Sequence, residues 1–161
     1  MTTSKPTDLI LQVTLECTIL TTLQNMGTSD VYAHGQVRVW VTVDGLIVPV
    51  QSISTPPQNT PPGGDDTDKA VFCERTHQVN FINPNDDDTI EQYQQTKSAN
   101  AFNWLRQNVG SGTHVIEVKA DLSTDATMTF ANAEAIVGNR TLIIEPTKMA
   151  NDAIISSTGT N

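Results

Sequence analysis

From Leu9 to Ile19 every second residue is apolar. Leu9, Leu11, Val13, Leu15, Cys17 and Ile19 fall on one face, and Gln12, Thr14, Glu16 and Thr18 on the other. Period two is the mark of a half-buried strand, and it predicts a strand across residues 7–23, followed by a polar loop. The pattern returns from Val31 to Val43. There Val37, Val39, Val41 and Val43 point one way, while Gln36, Arg38, Trp40 and Thr42 point the other. Asp44-Gly45 comes next, and the apolar run resumes from Leu46 to Val50. Asp-Gly between two such runs predicts a hairpin, because both central residues of a type I′ turn need positive φ. Pro49 has no amide to donate, which places the returning strand at an edge or a bulge.

Beyond this hairpin the signals alternate quickly. Residues 54–69 hold Pro56-Pro57, Pro61-Pro62, Gly63-Gly64 and three aspartates, and read as a long surface loop within one domain. A further strand is predicted from Ala70 to Ile82, with Val71, Cys73, Val79 and Phe81 on one side, and a turn over Asn83–Asp88. Thr89–Lys97 fits either a short helical turn or an edge strand. Ala101–Val109 reads as a strand ending at Gly110-Ser111-Gly112, and His114–Ala120 as the next. Ser123-Thr124-Asp125 reads as a turn, Ala126–Val137 as a strand, Gly138-Asn139 as a turn, and Arg140–Glu145 as a last strand stopped by Pro146. Seven to eight short strands with no helical period predict an all-β fold, an antiparallel two-sheet sandwich of jelly-roll type; a closed barrel is the alternative.

Three stretches together carry a resemblance. They are Val37–Gly45, the run Phe102-Asn103-Trp104 leading into Gly110-Ser111-Gly112-Thr113-His114, and Arg140-Thr141-Leu142-Ile143-Ile144. They resemble the "VxVxVDG" hairpin, the "GxGxH" turn and the terminal "RxLxV" strand of bacterial and phage jelly-roll modules akin to the C1q and tumour-necrosis-factor folds. The likeness spans residues 31 to 146. It implies a non-catalytic domain of a kind that trimerises or builds larger particles. The long Pro-rich loop and the extended termini depart from that pattern.

Composition narrows the choice of partners. The 161 residues fit a single domain, 1–161, with polar extensions at 1–6 and 147–161. Only 17% of residues are charged, yet the net charge is −9 and the nine basic residues are scattered. Nucleic acid, which demands clustered Lys and Arg, is therefore not an expected partner, and anionic membranes attract such a chain no better. The N-terminus shows no signal-peptide pattern, and no run approaches the roughly 20 apolar residues of a membrane helix. A soluble protein is expected. The polar, weakly charged surface favours an extracellular or particle-associated setting, although the residues identify no compartment.

Candidate chemistry is sparse. Cys17 and Cys73 lie on apolar strand faces outside any metal-ligand spacing; they read first as buried free thiols, with a disulfide from the first strand to a later one as the alternative. His34, His77 and His114 are far apart in sequence and read as structural, with His114 placed to bond a backbone carbonyl beside its turn. Hard oxygen ligands occur at Gly63–Asp68 and Asn83–Asp88. Neither matches an EF-hand loop, and Asp86 and Asp88 are the first candidates for Ca²⁺, the one cofactor the sequence leaves open. No GxSxG elbow marks a nucleophile. Asn139-Arg140-Thr141 is a formal glycosylation sequon. Trp40, Trp104, Tyr32 and Tyr93 could form a sugar platform, but aromatics make up just 5% of the chain and packing claims most of them.

The leading expectation is thus a non-catalytic structural subunit whose partner is itself, built into a filament, shell, tail component or surface appendage. Its long strands leave edges to cover, and its tails are long enough to reach a neighbour. A carbohydrate-binding or adhesion module, Ca²⁺-assisted, is the alternative with a glycan as partner. An enzyme would need the scattered His and acidic residues to converge in one cleft.

Overall fold

The computed structural model describes residues 1–25, 31–50, 69–79, 90–126 and 131–148. Among these it holds six long strands and three of two residues. In chain order they are β1 (Thr2–Thr3), β2 (Thr7–Asn25), β3 (Val31–Val43), β4 (Leu46–Ile47), β5 (Ala70–Val79), β6 (Ile90–Val109), β7 (Gly112–Thr113), β8 (Ile116–Ala126) and β9 (Ala131–Thr147). The first sheet runs β6-β2-β9 and the second has β3 at its centre, with β5 and β4 on one side and β8 on the other. All pairings are antiparallel. The chain changes sheet at β2→β3, β5→β6, β6→β8 and β8→β9, the alternation that a jelly-roll winding makes. The result is a β-sandwich of two narrow sheets.

The core follows the alternation in the two central strands. Leu9, Leu11, Val13, Leu15, Cys17 and Ile19 of β2 meet Val37, Val39, Val41 and Val43 of β3, all essentially inaccessible to water. Because β2 and β3 are flanked on both sides, their inward rows are dry. Burying each such side chain contributes about 1.5–3 kcal/mol. Cys17 and Cys73 are joined by a disulfide, so β2 in one sheet is tied covalently to β5 in the other. They are not the free thiols of the first reading: their two inward faces meet across the core with Cα atoms 6.4 Å apart.

Several boundaries differ from the sequence reading, for physical reasons. Ser123-Thr124-Asp125 is not a turn but the end of β8, paired with Gly35, His34 and their neighbours on β3; an edge strand exposed on both faces accepts polar residues freely. Gly138-Asn139 is not a turn either. The strand β9 runs through it with a register shift, a bulge in which Gly138 and Asn139 together stand opposite the single residue Glu16. The ambiguous segment 90–97 is strand, continuous with 101–109 in the 20-residue β6. Asp44 and Gly45 do form the two-residue hairpin turn, with φ of 53° and 80°, and Val43 pairs with Leu46 across it. The N-terminal hexapeptide is no free extension: Thr2 and Thr3 pair with Thr113 and Gly112 of the same chain. Of the loop expected at 54–69, residues 54–68 lie outside the described residues, as do Asn83–Asp88 and the tail from Met149.

Candidate functional site

At one end of the sandwich three remote segments meet on a single histidine. The Asp44 turn, the N-terminal β1 and the Gly110–Val115 connection converge there, although Asp44 and His114 are separated by 70 residues. His114 Nδ1 lies 2.8 Å from Asp44 Oδ2, and the Val115 amide donates to Asp44 Oδ1 at 2.9 Å. The Asp44 amide in turn donates to the Val115 carbonyl at 2.8 Å. On the other side of the ring, Nε2 lies 3.0 Å from the Gly110 carbonyl oxygen and 3.2 Å from Thr3 Oγ1. The His114 amide donates to the Met1 carbonyl at 2.8 Å. The Met1 ammonium donates to the His114 carbonyl at 3.0 Å. The His114 side chain is only 10% exposed.

The charges in this cluster stabilise one another. The hydrogen bond from His114, followed by that from the Val115 amide, holds the Asp44 carboxyl below its ordinary 3.8. The hydrogen bond with the Asp44 carboxylate raises His114 above 6.5; desolvation, the next largest effect, opposes it, and the Gly110 carbonyl adds a smaller upward contribution. Hydroxyl, imidazole and carboxylate also stand in the order of a nucleophilic relay. Yet Thr3 Oγ1 donates its proton to the Gly110 carbonyl at 2.7 Å, and Thr3 is 8% exposed. Those bonds strap the N-terminus down. The sequence flagged both halves of the cluster, the Asp-Gly turn and the histidine after Gly110-Ser111-Gly112, but gave no sign that they touch.

The two long sides of the sandwich are closed differently. On the β5–β6 side, Arg75 donates to Thr96 and Gln94, and the Asn100 amide donates to the Phe72 carbonyl. Phe72, Trp104 and Phe102 plug the same side, with ring centroids 6.3 and 4.7 Å apart. On the β8–β9 side, no hydrogen bond or ion pair joins the two strands among the described residues. The inward residues there are apolar yet only half-buried: Ile116 and Val118 of β8, and Val137, Leu142 and Ile144 of β9. Leu122 continues the inward row of β8, opposite the buried Val37 on β3, and is 45% exposed. Among the described residues an apolar seam therefore opens between two strands that each have one unpaired edge.

The remaining sequence candidates are dispersed. Asp86 and Asp88 lie outside the described residues, among which no group of three or more His, Cys, Asp or Glu could hold a metal. His34 faces Glu74 at 3.1 Å on the outer face of the second sheet, while His77 is buried. Trp104 is in the core, Trp40 lies under the Lys69 ammonium at 4.7 Å, and Tyr32 stacks on His34; these rings share no platform, and the Tyr93 side chain is outside the described set. Asn139, in the sequon, donates through Nδ2 to Glu16 Oε2 at 3.2 Å, and Lys97 reaches the other oxygen of the same carboxylate at 2.7 Å. No helix among the described residues is long and apolar enough to cross a membrane.

No family model, curated protein or solved structure matches this chain. The comparisons thus lend no support to the expected resemblance to C1q and tumour-necrosis-factor modules.

Proposed function

We propose that this protein is a non-catalytic structural subunit that associates with copies of itself. The observation that carries this reading is the β8–β9 seam. Two strands of 11 and 17 residues present edges that no other described strand pairs, beside a half-exposed apolar row, whereas the opposite side of the same sandwich is sealed by aromatics and side-chain hydrogen bonds. Open edges next to exposed apolar side chains favour strand addition, and a solitary chain gains from covering them.

The strands carry few of the usual deterrents at this seam, the bulge at Gly138-Asn139 with Arg140 beside it being the exception on β9. Each carries no lysine on its inward row, and β9 holds its one proline, Pro146, next to its end. Further exposed apolar residues, Ile136 and Ile143, stand on the outer side of β9. The dispersed aromatics favour this reading over the carbohydrate-binding alternative, since sugar recognition needs rings grouped on an accessible face.

The experiment is sedimentation velocity of the purified chain over a wide concentration range. Species heavier than the 17.5 kDa chain that grow with concentration support self-association. A single monomeric species throughout rejects it.

A further inference from the structure

We propose that His114 and Asp44 form a pH-sensitive clasp on the N-terminal strand: while His114 carries its second proton β1 stays seated on β7, and loss of that proton frees β1 and bares the Gly112–Thr113 edge.

The geometry of the ring carries the inference. Both nitrogens face acceptors, Nδ1 toward the Asp44 carboxylate and Nε2 toward the Gly110 carbonyl, at 2.8 and 3.0 Å. Only the imidazolium has an N–H for each. A neutral ring that keeps its proton on Nδ1 for Asp44 turns a lone pair on the Gly110 oxygen. The one donor able to relieve that contact is the Thr3 hydroxyl, 3.2 Å from Nε2, which already donates to Gly110 at 2.7 Å. It cannot serve both. Deprotonation therefore acts on Thr3, the buried side chain that anchors β1.

Besides Thr3, that strand is held by its short ladder with β7 and by the two backbone hydrogen bonds between Met1 and His114. It is two residues long, its Thr2 hydroxyl meets that of Thr113 at a loose 3.4 Å, and Ser4-Lys5-Pro6 links it to β2. The charged groups that bear on the clasp from the surrounding elements are Asp44 on the hairpin turn, the Met1 ammonium just before β1 and Arg106 on β6. Asp44 favours the imidazolium and outweighs the Met1 ammonium, which opposes it. The sign follows. His114 is raised in the folded chain, so its stabilisation is complete below 6.5 and is lost as pH climbs through the raised value. Asp44 is lowered, so its share is present above 3.8 and vanishes on acidification through the lowered value. The clasp is closed between these limits.

The test is NMR on the full chain, following the His114 ring and the hydrogen-exchange protection of the His114 amide against that of Val39 in the core. Protection at His114 falls as the ring titrates, about tenfold for each pH unit by which seating raises the ring's pKa, while Val39 is unmoved. In Asp44→Asn the ring titrates at lower pH and the loss of protection moves with it. In His114→Gln the pH dependence disappears. Constant protection at the His114 amide through the ring's titration overturns the proposal, as does an unchanged pH dependence in His114→Gln.

Discussion

Gly35 of β3 lies against Ile19 of β2 so closely that a Cβ on the glycine would stand 2.7 Å from Ile19 Cγ2. The two residues are inward-facing members of opposite sheets, and the missing side chain of one is the space filled by the other. Gly35→Ala therefore forces one sheet away from its partner or Ile19 out of its rotamer. The expected loss is about 1–3 kcal/mol, read as a lower urea midpoint with an unchanged slope. Ile19→Ala, which removes Cγ2, should cost less beside Gly35→Ala than it does alone, and simple additivity in that double-mutant cycle would show that the contact is not the cause.

The Cys17–Cys73 bridge closes a loop over 56 positions of sequence. Restricting the unfolded chain to that extent stabilises the fold by about 2–5 kcal/mol. Replacing both cysteines with alanine should lower stability by this amount and make it insensitive to reductant. Equal stability of the native chain with and without reductant, under conditions that cleave the bond, would remove the bridge as a source of stability.

On the outer face of the second sheet, Arg38 Nη2 lies 2.5 Å from Asp121 Oδ2 and Lys69 Nζ 3.5 Å from the same oxygen. The Arg38 hydrogen bond, ahead of the opposing desolvation, holds the Asp121 carboxyl below 3.8. A group lowered on folding stabilises above its unfolded pKa, and that contribution fades as pH falls below 3.8 through the lowered value. Asp121→Asn should remove this part of the acid sensitivity. It should also destabilise the protein by about 1–2 kcal/mol near neutrality, since Arg38 is mostly buried and loses its carboxylate partner. Thermal melts of both proteins at several pH values check this, and parallel acid profiles would refute it.

Much of this fold was legible because two strands lie wholly in the interior. The strict alternation of Leu9–Ile19 and of Val37–Val43 gave their spans and inward faces, since a buried central strand keeps its inner side almost wholly apolar, the buried Thr21 of β2 being an exception. The Asp44-Gly45 turn was legible because only certain residues accept positive φ at two successive positions. The edge strands were harder. Residues 90–97, Ser123–Asp125 and Gly138-Asn139 are largely polar because one side of their strand is open, and a polar run in an edge strand looks like a turn. The bulge at Gly138 depends on Glu16, whose carboxylate would meet a Cβ there at 2.8 Å, a relationship no local pattern encodes. The contact between His114 and Asp44 was invisible for the same reason: each residue was read within its own turn, and only the winding of the sheets brings the turns together.

The claim that the β8–β9 seam is where copies meet can be tested at Leu122, which faces the seam yet is exposed enough for a charge to be folded around. The measurement is sedimentation velocity of the wild-type chain beside Leu122→Lys, with near-UV circular dichroism to confirm that both are folded. The expected result is concentration-dependent assembly of the wild type and a shift of the folded variant toward the 17.5 kDa monomer. A folded variant that assembles as the wild type does, or a wild type that stays monomeric, would contradict it.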